Sequence, residues 1–196
     1  IEDDWGYNFE DRIFTAPYIA LADRDVAIEE LERALSRGAT TICMRPAAPT
    51  TIWGPLTPGD PWFDPFWARV NEAGITVVVH AGDSGYSLNG YAKEGFSAEF
   101  SGSGRPSIGM MSIERAIYDF LASLIFDQLF DRFPNLRVAS VENGAEFLPD
   151  LFRKFKSINR KIPGLFTEDP VETFRRHIWI NPFWEDDPYE IVDLMG

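Results

Sequence analysis

Histidine is nearly absent: the 196-residue chain has only His80 and His177, so a metal centre built from histidine alone cannot be assembled from it. Cysteine is scarcer still. Cys43 stands alone in the apolar run Thr41-Ile-Cys-Met44, which excludes an intramolecular disulfide, reads as a packed thiol and fits a reducing, cytoplasmic compartment. Cations are outnumbered, 18 Lys and Arg against 31 Asp and Glu, for a net charge of -13. No nucleic-acid partner is therefore expected, because each phosphate contact needs a cation. No apolar run approaches the roughly 18 residues of a membrane span, so no membrane partner is expected either. Nothing repeats at a fixed period. Neither a GxGxxG nor a P-loop follows any predicted strand, which removes the usual nucleotide-binding signatures of an open α/β sheet.

What is present is 45% hydrophobic and 14% aromatic content, enough for one good core, and a single domain over residues 1–196 is expected. Strand and helix patterns alternate along it. Residues 12–21 read as a strand, followed by a helix that Asp23 or Asp25 caps, with Ile28, Leu31 and Leu35 on one stripe and Gly38 at its end. Residues 40–45 form the next strand, stopped by Pro46. The proline-rich stretch 46–61 reads as an irregular loop. Asp64-Pro65 opens a helix that Gly74 closes, and the run Ile75-Thr-Val-Val-Val-His80 is a strand ending in an imidazole. Residues 82–109 read as a long substrate-side loop. Residues 110–133 read as one long helix whose later half is apolar almost all round, a pattern that calls for burial on both sides and hence for a homodimer. A strand over 136–142, helices over 145–158 and from Pro170, a strand over 178–181 and a last helix near Asp187-Pro188 complete the pattern.

Five strands alternating with helices argue for a parallel sheet with right-handed crossovers, and the absence of nucleotide loops favours closure into a (β/α)8 TIM barrel. A complete barrel takes roughly 250 residues. About five of its eight β/α units are thus expected here, and the opening at Ile1 and end at Met195-Gly196 read as the bounds of an internal portion of a longer chain.

In such a fold chemistry gathers at the C-terminal strand ends. There the sequence places Arg45, His80, Glu142 and Asn181 at equivalent positions, with Asn143-Gly144 turning the chain after Glu142. A carboxylate at the end of the run Val138-Ala-Ser-Val141 needs a cation, an arginine or a changed proton affinity. His177 precedes its strand and belongs to the opposite rim. Trp53, Trp62, Phe63, Tyr86, Tyr91 and Trp184 fall on or near the mouth loops and are candidates for the wall of an apolar pocket.

The order His80-Ala-Gly, a helix ending Phe130-Asp-Arg-Phe-Pro-Asn-Leu136, a strand ending Glu142-Asn-Gly, then Phe147-Leu-Pro149 resembles the amidohydrolase-related group that includes aminocarboxymuconate semialdehyde, resorcylate and carboxyvanillate decarboxylases. Residues 23–38 and the run Phe63-Asp-Pro-Phe-Trp67 also resemble bacterial amidohydrolases. The resemblance implies a metal-dependent barrel with one divalent ion, Zn²⁺ ahead of Mn²⁺, at the C-terminal mouth. It implies a His-x-His pair after the first strand, a third histidine that matches His80, and an aspartate after the last strand. The pair and the aspartate have no counterpart in this chain. The resemblance also implies a histidine, for proton transfer or activation of the metal-bound water, where this sequence has Glu142, a residue able to act as base or as an oxygen ligand.

The resulting expectation is a metal-dependent hydrolase acting on a small cyclic or carboxylated substrate through a metal-activated water. His80 is the metal ligand and Glu142 the catalytic group, with Arg45, Asn143 and Asn181 on the substrate and Arg45 clamping its carboxylate. Two alternatives stand beside it: a non-oxidative decarboxylase of an aromatic or muconate-type acid, and a barrel that binds a ligand without turnover.

Overall fold

Four times a short apolar run ends in a polar residue, and each run becomes a strand of one parallel sheet: β1 (Thr41–Met44), β2 (Thr76–His80), β3 (Arg137–Val141) and β4 (Ile178–Ile180). The computed structural model describes residues 2–82, 85, 111–184 and 186–196. Apart from Gly82 and Gly85, the expected substrate-side loop, with Tyr86 and Tyr91, lies outside the described residues.

The strands pair in unbroken chain order, β1-β2-β3-β4, each parallel to the next. Register aligns Cys43, Val78, Ala139 and Trp179 in one row, and Met44, Val79, Ser140 and Ile180 in the next. Alternation then sorts the faces. Ile42, Met44, Val77, Val79, Val138 and Ile178 are buried in one cluster with the helices, whereas Cys43, Val78 and Ala139 on the other face are half-buried and Trp179 is exposed. Sequential parallel order with helices on a single face is the arrangement of a (β/α) barrel wall, since an open doubly wound sheet covers both faces.

Helix α1 (Arg24–Ser36) precedes β1; α2 (Asp64–Ala73) lies between β1 and β2, α3 (Ser112–Phe126) and α4 (Leu129–Arg132) between β2 and β3, α5 (Leu148–Lys161) and α6 (Pro170–His177) between β3 and β4, and α7 (Pro188–Met195) after β4. Asp23 caps α1 by accepting from the amides of Asp25 and Val26, and Gly74 ends α2 at φ 64°.

Several expectations are corrected. Residues 12–21 do not form a full strand: Pro17 has no donor, Ile13–Phe14 pairs antiparallel with Asn8–Phe9, and only Tyr18 bridges Cys43. The proline-rich loop contains a small hairpin, Thr50–Thr51 with Gly54–Pro55. The helix expected from residue 145 starts at Leu148, with Pro149 in its first turn. The expected single helix over 110–133 breaks at Gln128, whose φ of 52° is left-handed and whose side-chain amide donates to the Leu165 carbonyl. Its apolar residues Ile117, Phe120, Leu121, Leu124, Ile125, Leu129 and Phe130 are buried by this chain, whereas Met111 and Phe126 stay exposed.

The motif Phe130–Leu136 owes its arrangement to Arg132. Its guanidinium donates to Asp64 Oδ1 at 3.1 Å, to the Gly59 carbonyl at 2.7 Å and to the Asp127 carbonyl, tying α4 to the start of α2 and to the loop before it. At the same junction Gly59 faces Asp127 so closely that an added Cβ would lie 2.8 Å from the Asp127 Cβ. Gly59→Ala is therefore expected to destabilise the fold by about 1–3 kcal/mol through overpacking, read as a lower urea midpoint with an unchanged slope.

Candidate active site

Parallel pairing delivers the C-terminal ends of β1 to β4 to one rim. Arg45 follows Met44, His80 ends β2, and Asn181 follows Ile180, its amide donating to the Ser140 carbonyl at 2.9 Å. These three lie on one layer. The β3 residue on that layer is Val141, paired with His80, so Glu142 stands one step farther out than the equivalence read from the sequence. A left-handed backbone at Glu142, φ 58°, makes up the difference by turning the chain back.

The turn brings Glu142 Oε2 to 3.3 Å from His80 Nε2. The other ring nitrogen, Nδ1, lies 2.9 Å from the Ala81 carbonyl. A carbonyl only accepts, so Nδ1 carries a proton. In the neutral ring Nε2 therefore presents a lone pair toward a carboxylate oxygen, an approach that a shared proton or a cation between the two would stabilise. Side-chain exposures of 46% and 61% mean that the pair contributes little to stability by itself. The surrounding backbone has to impose its geometry.

That backbone is held by Asn143, which is fully buried. Its side-chain nitrogen donates to the Val79 and Val141 carbonyls, each at 2.9 Å, and lies 3.2 Å from Ser140 Oγ. Its oxygen, Oδ1, has no partner among the described residues. Gly144 follows at φ 70°, with Phe183 packed where a Cβ would stand and Glu114 Oε1 3.5 Å from that point. Glu114, in the first turn of α3, is a second carboxylate at this turn that the sequence reading did not single out; the only signal pointing to it is a glycine at a crowded position.

Of the expected pocket aromatics, Phe63 is fully buried in the core. Trp53 and Trp62 meet edge to face at 4.5 Å, Arg24 lies 4.2 Å over Trp62, and Trp184 is exposed. Arg45 and Asn181 are exposed on the same rim. His177, by contrast, is buried at the other rim, stacked on Phe130 with Nδ1 2.9 Å from the Leu136 carbonyl. A cleft of about 420 Å³ opens beside it. The cations there are already engaged, Arg176 by Glu168 and Arg137 by the Gly74 carbonyl, and none of the strand tips faces that side.

A divalent ion can be tested against these donors. Two ligands of a tetrahedral ion with bonds of about 2.0–2.1 Å stand about 3.3–3.4 Å apart, which is the separation of Nε2 and Oε2. An imidazole nitrogen and a carboxylate oxygen are also the donor types such ions take. The pair thus fits two positions of a metal site. Among the described residues no three His, Cys, Asp or Glu side chains converge on one point.

The amidohydrolase family model matches residues 6–192. The chain belongs to the amidohydrolase family. A solved amidohydrolase from Mycobacterium avium subsp. paratuberculosis K-10 superposes with a TM-score of 0.88 at 38% identity, covering 100% of this chain and 49% of that one. A dihydroxybenzoic acid decarboxylase from Polaromonas sp. JS666, solved with bound manganese and the inhibitor 2-nitroresorcinol, superposes at 0.64 with 18% identity, covering 89% of this chain and 52% of its own. For 5-carboxyvanillate decarboxylase from Sphingomonas paucimobilis the values are 0.66 and 18%, with 92% and 51% covered. At that identity the two decarboxylases speak to the fold alone: this chain is part of a (β/α)8 barrel. It spans about half the length of the solved structures it matches. No curated relative matches it significantly.

Cys43 lies one residue below Met44 on the half-buried face of β1. Burial pushes its thiol above the usual range, against a smaller downward pull from a hydrogen bond with the His80 main chain. A raised value means less thiolate at a given pH. At pH 8 iodoacetamide is expected to alkylate the native protein several-fold more slowly than the urea-unfolded chain, as measured by intact mass, with the gap narrowing as pH rises.

Proposed function

We propose that this amidohydrolase is a metal-dependent hydrolase of small cyclic or carboxylated substrates, and that the chain is a single domain supplying an internal portion of a longer barrel. The observation that carries the reading is the 3.3 Å approach of His80 Nε2 to Glu142 Oε2, with Nδ1 anchored on the Ala81 carbonyl.

His80 and Glu142 would hold the ion. A bound divalent cation supplies a Lewis acid that polarises a substrate oxygen or acidifies a water. The chain's own part is positional and basic. Ala81 fixes the imidazole in the orientation that leaves Nε2 free to coordinate. Glu142 offers its second oxygen as the acceptor for a proton released by the attacking water. Arg45, one strand away on the same layer as His80, would bind a substrate carboxylate in a forked pair, and Asn181 borders the mouth from β4.

Non-oxidative decarboxylation is the second reading, the reaction named for two solved structures that share the fold. Against it stands Glu142 itself: an aromatic carbon losing carbon dioxide must receive a proton, and a carboxylate can only accept one.

On the intact protein, metal analysis and a turnover screen of lactones, amides and aromatic acids decide the matter. His80→Ala should strip the bound metal and abolish turnover. Glu142→Gln should lower kcat about 10²–10⁴-fold, the range for loss of a positioned base. A folded, metal-free protein whose ligand binding ignores His80→Ala would overturn the catalytic reading in favour of a non-catalytic binding barrel.

A further inference from the structure

We infer that Asn143 is a positioning residue, whose buried amide nitrogen sets the spacing of His80 and Glu142 by gripping the peptide group that precedes each of them. The inference rests on the proposed reading of that pair as an ion site.

The two acceptors are what distinguish Asn143 from an ordinary buried amide. Val79 O belongs to the peptide joining Val79 to His80, and Val141 O to the peptide joining Val141 to Glu142. One nitrogen holds both at 2.9 Å, so each grip lies a single peptide plane from the Cα of a proposed ligand. Val141 O also accepts from the Ala81 amide at 3.0 Å, which occupies both of its lone pairs. The ladder between β2 and β3 ends at His80 and Val141, and Asn143 continues the tie between the two chains beyond it.

Two local penalties adjoin this grip. Glu142 is a non-glycine residue at φ 58°, and Asn143 Oδ1 is buried without a partner among the described residues. Neighbouring costs of this kind persist where the surrounding structure enforces them, and they cluster at functional sites. The exposed imidazole and carboxylate cannot enforce their own approach. The buried amide can. Oδ1 is enclosed, and the nitrogen's two protons are engaged by main-chain acceptors, so Asn143 acts on the substrate side only through the residues it holds.

The test is Co²⁺ binding to the intact protein, followed by its visible absorption and by competition with a chelator. Asn143→Ala is expected to weaken Co²⁺ binding about 10- to 100-fold, the usual loss when a group orienting a ligand is removed, and to shift the absorption band. In a Glu142→Ala background the same change should alter the affinity by no more than about twofold, because the spacing it sets no longer matters. Equal losses in both backgrounds, or wild-type affinity in Asn143→Ala, would overturn the inference. Asn143→Ser, which keeps one donor, should fall between wild type and Asn143→Ala and serves if the alanine variant does not fold; if neither folds, Asn143 is a folding residue and the inference fails. His80→Ala is read in parallel. Unchanged Co²⁺ binding there refutes the ion site itself, a result distinct from failure of the Asn143 variants.

Discussion

Parallel pairing in unbroken chain order is the constraint on which everything else in this molecule depends. Because β1 to β4 run the same way and each pairs with the next, all four end at one rim, and one residue of register decides which side chains share a layer. The same register assigns Val77, Val79 and Val138 to the helices and Cys43, Val78 and Ala139 to the opposite face. A slip of one residue at β2 would bury the His80 imidazole under the helices and turn a valine to the mouth. The chemistry at the rim is thus a consequence of how the core is sorted.

Register alone does not make the His80–Glu142 pair, since the ladder puts Val141 beside His80. The pair needs the chain to reverse at Glu142, and the reversal needs something to hold it. Asn143 supplies that hold from inside the protein, and Gly144 permits it by leaving room for Phe183. Three consecutive residues therefore divide the work: one presents a functional group, one anchors it and one removes a steric obstacle. On the other side of the sheet Arg132 does comparable work for the scaffold, tying α4 to α2 and to the loop at Gly59.

The parts of this arrangement that could be read in the sequence are those that apolar patterning controls. The runs before Arg45, His80, Glu142 and Asn181 are long and β-branched enough to mark strands, and Asp23, Gly74 and Pro170 punctuate the helices as their chemistry dictates. What escaped notice lies in backbone dihedrals and long-range polar contacts. The left-handed turns at Gln128 and Glu142 involve residues with no preference for them, so a broken helix read as continuous and a staggered tip as level. Pro17 inside an apolar run was a visible warning against a full strand at residues 12–21. Asn143, expected on the substrate, is buried where the chain reverses at Glu142. Asp64 and Arg132 are 68 positions apart, and no local spacing announces their contact.

Under the proposed reading a glutamate at this tip bears on what the site can do, and the geometry sharpens the point. With Nδ1 tied to a carbonyl, His80 offers a single lone pair at Nε2, and Glu142 meets it with another. A histidine at 142 could have relieved that opposition by donating a proton across the gap, whereas a carboxylate cannot. A proton on the ring or a cation between the two residues would relieve the opposition, and under the proposed reading Glu142 is the group that accepts a proton at this end of the mouth. A reaction that begins by taking a proton from water suits such a pair better than one that ends by giving a proton to carbon.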